Sequence, residues 1–405
     1  MTRPVTAEDV AAAWDAVRDV ARHTPVLPSE TLSERGGGAV LLKAEALQRT
    51  GSFKVRGALS KLAALGEAAS AGVVAGSAGN HAMAVALAAK VRGVPCEVHM
   101  PREAPIAKVE GAAALGATIV QEGGSVEDCV GSALEGARAS GMAFVHPFDD
   151  PDVIAGQGTL GLELLDDVED LARVIVPVGG GGLVSGVAVA VKAARPDVEV
   201  IGVQVQACAA LPASLREGRP ARIDAGLTIA DGIAVKQPGE LTLDLIRELV
   251  DDVVLVEEDE VAEAMVTLME RAKLVVEGAG AVGAAALLSG RVTATPRGST
   301  VVVLSGGNVD AGLLASVARR HETEVGRRLV VFTRLPDRPG SLAALLSLIG
   351  DQGANLVEVE HVREGVDLHV RESAVQLVME TRGRDHAEAV LSALAAAGHD
   401  ARVVR

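Results

Sequence analysis

A single lysine, Lys54, stands at the start of a predicted helix in the stretch TGSFKVRGA, residues 50–58. Ser52 is the predicted N-cap of this helix, which puts Lys54 in the first turn, where the positive end of the helix dipole disfavours an ammonium group. A lysine placed against stability is a candidate for chemistry, because a neutral amine is a nucleophile and forms Schiff bases. The alternative is a surface lysine whose amine reaches water. The helix itself is predicted from apolar residues spaced along one face, at Val55, Ala58, Leu59, Leu62 and Leu65.

Four consecutive glycines in PVGGGGL, residues 177–183, mark a candidate phosphate site. They follow a predicted strand and open a predicted helix, where backbone N–H groups can bind a phosphate without a charged side chain. A dinucleotide fingerprint would need glycine at position 184 or 185, and the chain has Val184 and Ser185. A P-loop is excluded as well, because no GK[ST] follows. The alternative is a plain strand-to-helix turn, which needs only one or two glycines.

Two further loops follow predicted strands and carry polar side chains. SAGNHAM, residues 77–83, offers amides for an anion such as a carboxylate, and its Asn80 can bond to a phenolate-like oxygen. His81 alone is more typical of a structural histidine than of a base. In LSGGN, residues 304–308, Ser305 alone is no more than a candidate N-cap. Neither loop identifies a site by itself.

The elements that must position these loops are predicted from the alternation of short apolar runs with helical patterns from residue 72 onward. One block contains VVAGS, CEVHM and TIVQE, and a second contains VIVPV, EVIGVQV and VVVLSGGN. Such alternation is typical of parallel, doubly wound α/β sheets. The two blocks predict two lobes with a cleft between them, the smaller one at roughly residues 55–145.

The character of the chain changes after about residue 322. The segment from RRLVVF to LVEVE predicts a strand, a turn, a helix and a strand, and the segment from VQLVME to ARVV predicts a strand, a helix and a strand. Together they predict a ferredoxin-like βαββαβ module of about 75 residues. We interpret HETEVGR, residues 321–327, as the linker before it.

Composition limits the classes of protein and partner. At 405 residues the chain is long enough for two or three domains. Aromatic residues make up only 1% and hydrophobic residues 49%, so we expect a core of Ala, Val and Leu. A net charge of −16 argues against a nucleic-acid partner. No signal peptide or membrane span is predicted, and three cysteines without CxxC spacing indicate a reducing cytoplasm with no disulfide or zinc: Cys96, Cys129 and Cys208.

The order and spacing of six motifs resemble the pyridoxal-phosphate threonine/serine dehydratases of fold type II: TGSFKVRGA, SAGNHA, GGGGL, TIADGIAV, EGAGA and LSGGN. The resemblance spans residues 5–320. The C-terminal DRPGSL, GANLVEVEH and METRG resemble an ACT regulatory domain, as in threonine ammonia-lyases with a single such domain. The resemblance implies a catalytic domain over residues 1–322 and a linker with an ACT domain over residues 323–405.

The resemblance implies a role for each matching residue in binding the cofactor, pyridoxal 5'-phosphate. Lys54 forms the Schiff base, and Phe53 lies against the ring. Asn80 bonds to the ring 3-oxygen, and Ser305 to the pyridine nitrogen. Gly232 lies beside the cofactor. The phosphate is bound by backbone amides of the glycine loop: Gly179, Gly180, Gly181, Gly182 and Leu183.

For the substrate, the resemblance implies that the carboxylate is held by the loop after the predicted strand VVAGS: Ser77, Ala78, Gly79, Asn80 and His81. The sequence departs from the family in two places. Met83 replaces the glutamine that usually ends this motif, which removes one polar contact. Gln204 and Ala210 stand where related racemases have metal-binding carboxylates, so we expect no magnesium site, while a monovalent cation held by carbonyl groups stays open.

The implied reaction is the deamination of L-threonine to 2-oxobutanoate and ammonia, and of L-serine to pyruvate. The freed Lys54 amine, its pKa lowered by burial and by nearby positive potential, takes the Cα proton, and the β-hydroxyl then leaves. Ser305 is a neutral hydroxyl and cannot hold a proton on the pyridine nitrogen, which favours elimination. We expect a cytoplasmic homodimer or homotetramer that serves isoleucine biosynthesis and binds a small effector at its ACT domain: isoleucine, valine or a nucleotide.

Three alternatives share some of these features. A serine racemase has the same scaffold but places a second serine where this chain has Ala78. A cysteine-synthase-like β-replacement enzyme has a lysine motif that resembles SVKDR, which differs from SFKVRGA. An amino-acid sensor built on a decayed enzyme would have lost its cofactor and would purify colourless, whereas Lys54, Asn80 and Ser305 are all intact here.

Overall fold

The chain divides into two units, Met1–Val309 and Asp310–Arg405. The computed structural model describes residues 4–363 and 368–404. The predicted fold class is confirmed, since the first unit contains helices packed on parallel sheets and the second contains a sheet of four antiparallel strands. No helix in the described ranges is both long and apolar enough to cross a bilayer.

The larger sheet of the first unit has six strands. They are β1 Val26–Pro28, β2 Val40–Lys43, β7 Leu171–Pro177, β8 Glu199–Val205, β9 Asp252–Val256 and β10 Ser299–Val303. They pair in the order β1-β2-β10-β7-β8-β9, and only β1 runs antiparallel to its neighbour within this sheet. The central strands are almost wholly buried, as the apolar runs VIVPV and VVVL predict.

The smaller sheet has four parallel strands and lies within the part of the chain where the smaller lobe is predicted. The strands are β3 Val73–Gly76, β4 Cys96–Met100, β5 Thr118–Gln121 and β6 Ala143–Phe144. They pair in the order β5-β4-β3-β6. Each sheet has its own apolar core, and the core of the smaller lobe is built largely from Ala and Val, in agreement with the low aromatic content.

Helices cover both sheets of the first unit. They are α1 Ala7–Val17, α2 Glu30–Gly36, α3 Lys54–Leu65, α4 Asn80–Arg92, α5 Ile106–Ala114, α6 Val126–Ser140, α7 Pro151–Asp167, α8 Gly182–Ala194, α9 Ala210–Glu217, α10 Glu240–Leu249, α11 Glu258–Thr267 and α12 Gly278–Leu288. Several begin at residues whose types favour a cap. Ser125 forms a capping box with Asp128 at the start of α6, and Asp150 followed by Pro151 begins α7.

The second unit has the predicted βαββαβ order, preceded by one helix. The elements are α13 Ala311–Glu324, β11 Arg328–Pro336, α14 Ser341–Asp351, β12 Asn355–Val362, β13 Glu372–Glu380, α15 Arg384–Ala396 and β14 Arg402–Val403. The strands pair in the order β12-β13-β11-β14. The interpretation of residues 321–327 as a linker is wrong, because residues 321–324 continue a helix that packs on β11. This helix belongs to the second unit, which therefore begins before residue 322.

Candidate active site

A cavity of about 650 Å³ lies in the first unit, at the carboxyl ends of strands from both of its sheets. The structure brings together around it all the residues that the sequence singles out for cofactor and substrate. They come from five separate segments: Phe53 and Lys54; Ser77, Ala78, Gly79, Asn80 and His81; Gly179, Gly180, Gly181, Gly182 and Leu183; Gly232; and Ser305.

Lys54 lies in the first turn of α3, as predicted, and is its first residue, but Ser52 is not the N-cap. Phe53 holds the cap position, and the backbone of Ser52 is extended because it forms an antiparallel bridge with Gly306. The hydroxyl of Ser52 is buried and has no hydrogen-bond partner among the described residues. The bridge is continued by the Phe53 N–H, which donates to the Ser305 carbonyl at 3.1 Å. The lysine is thereby attached to the loop that carries Ser305.

The Lys54 amine lines the cavity and donates to the carbonyl oxygen of Pro147 at 2.8 Å. Burial lowers the pKa of Lys54 from its ordinary value of 10.5 to about 8, while the Glu277 carboxylate acts in the opposite direction. The sequence predicts this lowered pKa from burial and from nearby positive potential. Burial is the cause found here, whereas the charge that acts on the amine is negative and opposes the shift. A substantial neutral fraction of this amine exists slightly above neutral pH, as a Schiff-base lysine and proton acceptor requires.

Two residues further along α3, Arg56 anchors the helix in a fully buried ion-pair network. Its guanidinium donates to both oxygens of Glu45 at 2.8 Å and to Glu163 at 2.7 and 2.9 Å. Lys43 completes the network with a 2.7 Å ion pair to Glu163. Because buried charges without partners are strongly unfavourable, these contacts fix the position of α3 and of the lysine that begins it.

The glycine loop connects β7 to α8 and has no room for side chains. Gly181 has φ of 97°, a left-handed conformation that favours glycine. A Cβ on Gly180 would lie 2.4 Å from ring atoms of Phe148, and one on Gly182 would lie 2.9 Å from the Phe148 carbonyl oxygen. The Thr242 hydroxyl also stabilises the loop by donating to the Gly180 carbonyl at 2.7 Å. The amides at the start of α8 are thus held at the cavity.

The segment HPFDD, residues 146–150, contacts both Lys54 and the glycine loop. The His146 Nδ1 accepts from the backbone N–H groups of Phe148 and Asp149 at 3.2 and 2.8 Å. The Asp149 carboxylate accepts from two amides at the start of α10, one of them that of Thr242. The Pro147 carbonyl meets the Lys54 amine. The sequence motifs do not point to this segment, and only the Asp-Pro cap of α7 would have marked it.

The loop after β3 presents Asn80, at the start of α4, to the cavity. The Asn80 amide nitrogen donates to Glu277 at 2.7 Å, and its oxygen accepts from Asn308 at 2.7 Å. The His81 ring is bonded to the Val145 carbonyl at 2.9 Å, and burial lowers the pKa of His81 to about 3. His81 is therefore neutral at physiological pH, which agrees with its interpretation as a structural histidine.

Ser77, Ser305 and Gly232 also line the cavity. The Ser77 hydroxyl accepts from the Gly79 N–H at 3.3 Å, which shapes the turn at the start of α4. Ser305 is almost fully buried and follows β10 closely in the chain. Gly232 lies in a short 3-10 helix, where a Cβ would lie 3.0 Å from Ala279 and narrow the cavity.

Two ion pairs join the smaller lobe to the loop around residues 222–237 at the mouth of the cavity. Lys108 of α5 lies 3.1 Å from Asp231, and Glu127 of α6 lies 3.0 Å from Lys236. All four side chains line the cavity.

Gln204 stands where related racemases have a metal-binding carboxylate. Its side-chain oxygen accepts from the Leu211 N–H at 3.0 Å.

Glu277 is the main site residue without a predicted role, although the EGAGA motif contains it. It is almost fully buried, lines the cavity, and its pKa is raised by burial to about 7. Asn80 acts against this shift by hydrogen bonding to the carboxylate. A glutamate followed immediately by Gly-Ala-Gly is the signal that could have identified it.

The residues present fit pyridoxal phosphate. The cavity is within the range of small-molecule sites, the glycine loop exposes helix-start amides for a phosphate, and Lys54 supplies an amine with a lowered pKa. Asn80 and Ser305 offer neutral polar groups at the same cavity.

Comparisons with known proteins agree with this geometry. Residues 17–307 match the family model described as pyridoxal-phosphate dependent enzyme, and residues 329–399 match the ACT domain. The L-threonine ammonia-lyase of Thermotoga maritima is 44% identical over 402 residues, covering 99% of this chain and 100% of that protein. The catabolic L-threonine dehydratase TdcB of Escherichia coli K12 is 43% identical over 316 residues, covering 78% of this chain and 96% of that protein.

Solved structures of related enzymes are also similar to this chain. The processed form of threonine deaminase isoform 2 from Solanum lycopersicum has a TM-score of 0.72 and 35% identity, covering 78% of this chain and 94% of that one. The maize serine racemase has a TM-score of 0.74 and 35% identity, covering 80% of this chain and 99% of that one. The chain therefore belongs to the pyridoxal-phosphate dependent enzyme family, in the group of the threonine ammonia-lyases, and carries an ACT domain.

Proposed function

We propose that this protein deaminates L-threonine to 2-oxobutanoate and ammonia, with L-serine as a second substrate that gives pyruvate. The observation that carries the proposal is the Lys54 amine, which lines the cavity with a pKa lowered to about 8 and faces the same space as the glycine loop. The full-length similarity to an L-threonine ammonia-lyase supports threonine as the substrate.

In this proposal, different residues of the cavity bind different groups of the cofactor and the substrate. The helix-start amides of the glycine loop would bind the phosphate. The Asn80 amide would donate to the ring 3-oxygen, and the Ser305 hydroxyl would donate to the ring nitrogen. Ser77 and the backbone after it hold the substrate carboxylate. Pyridoxal phosphate, when bound, supplies an electron-withdrawing ring that acidifies the substrate Cα proton.

Proton transfer at Cα is assigned to Lys54. Once the substrate amine has replaced it, the Lys54 Nζ is free to accept the Cα proton, because burial keeps part of this amine neutral near physiological pH. The Pro147 carbonyl, 2.8 Å away, orients the amine. The neutral Ser305 hydroxyl would not hold a proton on the ring nitrogen of the bound cofactor, which would favour loss of the β-hydroxyl over transamination.

Serine racemisation is the second candidate, and the similarity to the maize serine racemase favours it. Racemisation needs a proton donor on the face of Cα opposite Lys54. Ala78 lines the cavity at the position where related racemases place a serine, and its methyl group donates no proton. Elimination is therefore the function that this site supports best.

We also propose that the first unit is catalytic and that the ACT domain binds a regulatory amino acid or nucleotide. A supply of 2-oxobutanoate would serve isoleucine biosynthesis. The buried free thiols of Cys96, Cys129 and Cys208 support a cytoplasmic location, and the ACT domain supports a homodimer or homotetramer.

The test is 2-oxo-acid formation by the purified, pyridoxal-phosphate-loaded protein with L-threonine and with L-serine. Each reaction is run with and without isoleucine, valine or a nucleotide. We expect 2-oxobutanoate from L-threonine and a rate that changes with one effector. A protein that forms no 2-oxo acid from either substrate would contradict the proposed activity, and one that ignores every effector would contradict the regulatory role.

A further inference from the structure

Two cavity residues have no role in the function proposed above, Glu277 of EGAGA and Asn308 of LSGGN. Both contact Asn80. The Asn308 Nδ2 donates to the Asn80 Oδ1 at 2.7 Å and to the Thr50 carbonyl at 2.7 Å. The Asn80 Nδ2 donates to the Glu277 Oε1 at 2.7 Å. Four segments far apart in the sequence thus meet in one chain of hydrogen bonds.

The ends of this chain fix the orientation of both amides. The Thr50 carbonyl can only accept, so Asn308 must turn its NH₂ group toward it and toward Asn80. Asn80 therefore turns its oxygen toward Asn308 and its own NH₂ group toward the Glu277 Oε1, and a carboxyl group in either protonation state has an oxygen that can accept there. One arrangement satisfies every contact, and reversing either amide would place two acceptors or two donors face to face.

The glycines of two motifs provide the space for this chain. A Cβ on Gly51 would lie 2.3 Å from the Asn308 Oδ1, and a Cβ on Gly306 would lie 2.2 Å from the Glu277 Oε1. Thr50 has φ of 62°, an uncommon conformation for a residue that is not glycine, and its carbonyl is the terminal acceptor. The backbone around TGSFK and LSGGN is therefore shaped to let these side chains meet.

We propose that Glu277 and Asn308 are positioning residues that hold the Asn80 amide with one N–H free to donate to the 3-oxygen of pyridoxal phosphate. An NH₂ group has two hydrogens, and Glu277 takes only one of them. A donor at this oxygen stabilises its anionic form, whereas the reversed amide would present an oxygen and repel it. The inference rests on the proposed cofactor role of Asn80.

The test compares pyridoxal-phosphate binding by cofactor-free variants, measured by equilibrium dialysis and by the absorbance of the bound cofactor. Asn308→Asp replaces the donor by a carboxylate that can only accept and therefore repels the Asn80 oxygen, so the Asn80 amide is no longer held in this orientation. We expect its affinity to fall about tenfold, the size of one charge-assisted hydrogen bond, and the absorbance to shift toward the form with a protonated ring oxygen. Glu277→Ala should lower the affinity in the same direction, while Glu277→Gln, which keeps an acceptor oxygen, should stay within about twofold of the unmodified protein.

Asn355→Asp is the control, because it makes the same chemical change at an exposed asparagine of the second unit, where the side chain donates to Glu380. It should bind the cofactor as the unmodified protein does. If Asn308→Asp does not fold, as judged by circular dichroism, Asn308→Ala replaces it and should show a smaller loss of affinity in the same direction. Unchanged affinity and absorbance in the Asn308 variant, or equal losses for Glu277→Gln and Glu277→Ala, would overturn the inference. No binding by the unmodified protein would instead contradict the proposed cofactor role.

Discussion

Replacing Lys54 by methionine should stabilise the cofactor-free protein, because burial of the charged Lys54 amine destabilises the folded state. Lowering the pKa of Lys54 from 10.5 to about 8 corresponds to about 3.4 kcal/mol, at about 1.36 kcal/mol per pKa unit. Methionine removes this penalty and nearly keeps the length of the side chain. It loses the hydrogen bond to the Pro147 carbonyl, worth about 1 kcal/mol. Since the amine faces an open cavity where water screens part of the penalty, we expect a net gain of about 2 kcal/mol at pH 7.

The gain should depend on pH in a defined direction. The pKa of Lys54 is lower in the folded state than in the unfolded state, so between about pH 8 and 10.5 the unfolded chain binds more protons. The stability of the unmodified protein therefore rises with pH across this window. At pH 9.5 the advantage of Lys54→Met should have largely disappeared.

The assay is urea unfolding of the cofactor-free proteins at pH 7 and at pH 9.5. Lys61→Met is the matched control, since Lys61 lies on the same helix and ion pairs with Asp150 and Asp152 at 2.7 and 3.0 Å, which raise its pKa. This control should gain no stability at pH 7. A Lys54→Met protein that is no more stable than the unmodified one at pH 7, or that shows the same gain at both pH values, would refute the reasoning.

Three other predictions follow from the same structure. Arg56→Ala removes the charged partner of the buried Glu45 and leaves Glu163 only its ion pair with Lys43, so it should lower the free energy of unfolding by about 3–5 kcal/mol in urea titrations, and a loss below about 1 kcal/mol would contradict the anchoring role. Ala78→Ser should introduce D-serine formation that chiral chromatography does not detect with the unmodified protein, and D-serine from the unmodified protein at a rate near that of pyruvate would favour the racemase alternative. Removal of residues 310–405 should leave 2-oxo-acid formation that no longer responds to effectors, and a response that persists would place the regulatory site in the first unit.

Much of the fold could be predicted because buried strands and amphipathic helices leave local patterns. The βαββαβ order of the second unit is one such case, and the strand-to-helix turn at the four glycines is another. The predictions that failed depend on contacts between distant residues. Ser52 has the right residue type for an N-cap, but pairing with Gly306 holds its backbone extended. Residues 321–324 look like a polar linker, but they form the last turn of α13, a helix that packs on β11.

The candidate site likewise contains features that a local sequence pattern reveals and features that depend on contacts between distant residues. Lys54 and the glycine loop could be identified because their chemistry depends on a residue type at a local turn. The EGAGA motif marks Glu277 as a candidate, but the contacts of Glu277 and of the Pro147 carbonyl could not be predicted, since their partners Asn80 and Lys54 lie about 200 and 90 residues away in the chain. A backbone carbonyl in particular has no residue type by which a sequence pattern could reveal it.

The most direct test of the central claim is the formation of 2-oxobutanoate from L-threonine by the pyridoxal-phosphate-loaded protein and by its Lys54→Ala variant. We predict steady 2-oxobutanoate formation by the unmodified protein and none by the variant, with the circular dichroism spectrum unchanged because Lys54 contributes little packing. Turnover by Lys54→Ala at the rate of the unmodified protein would contradict the assignment of Lys54.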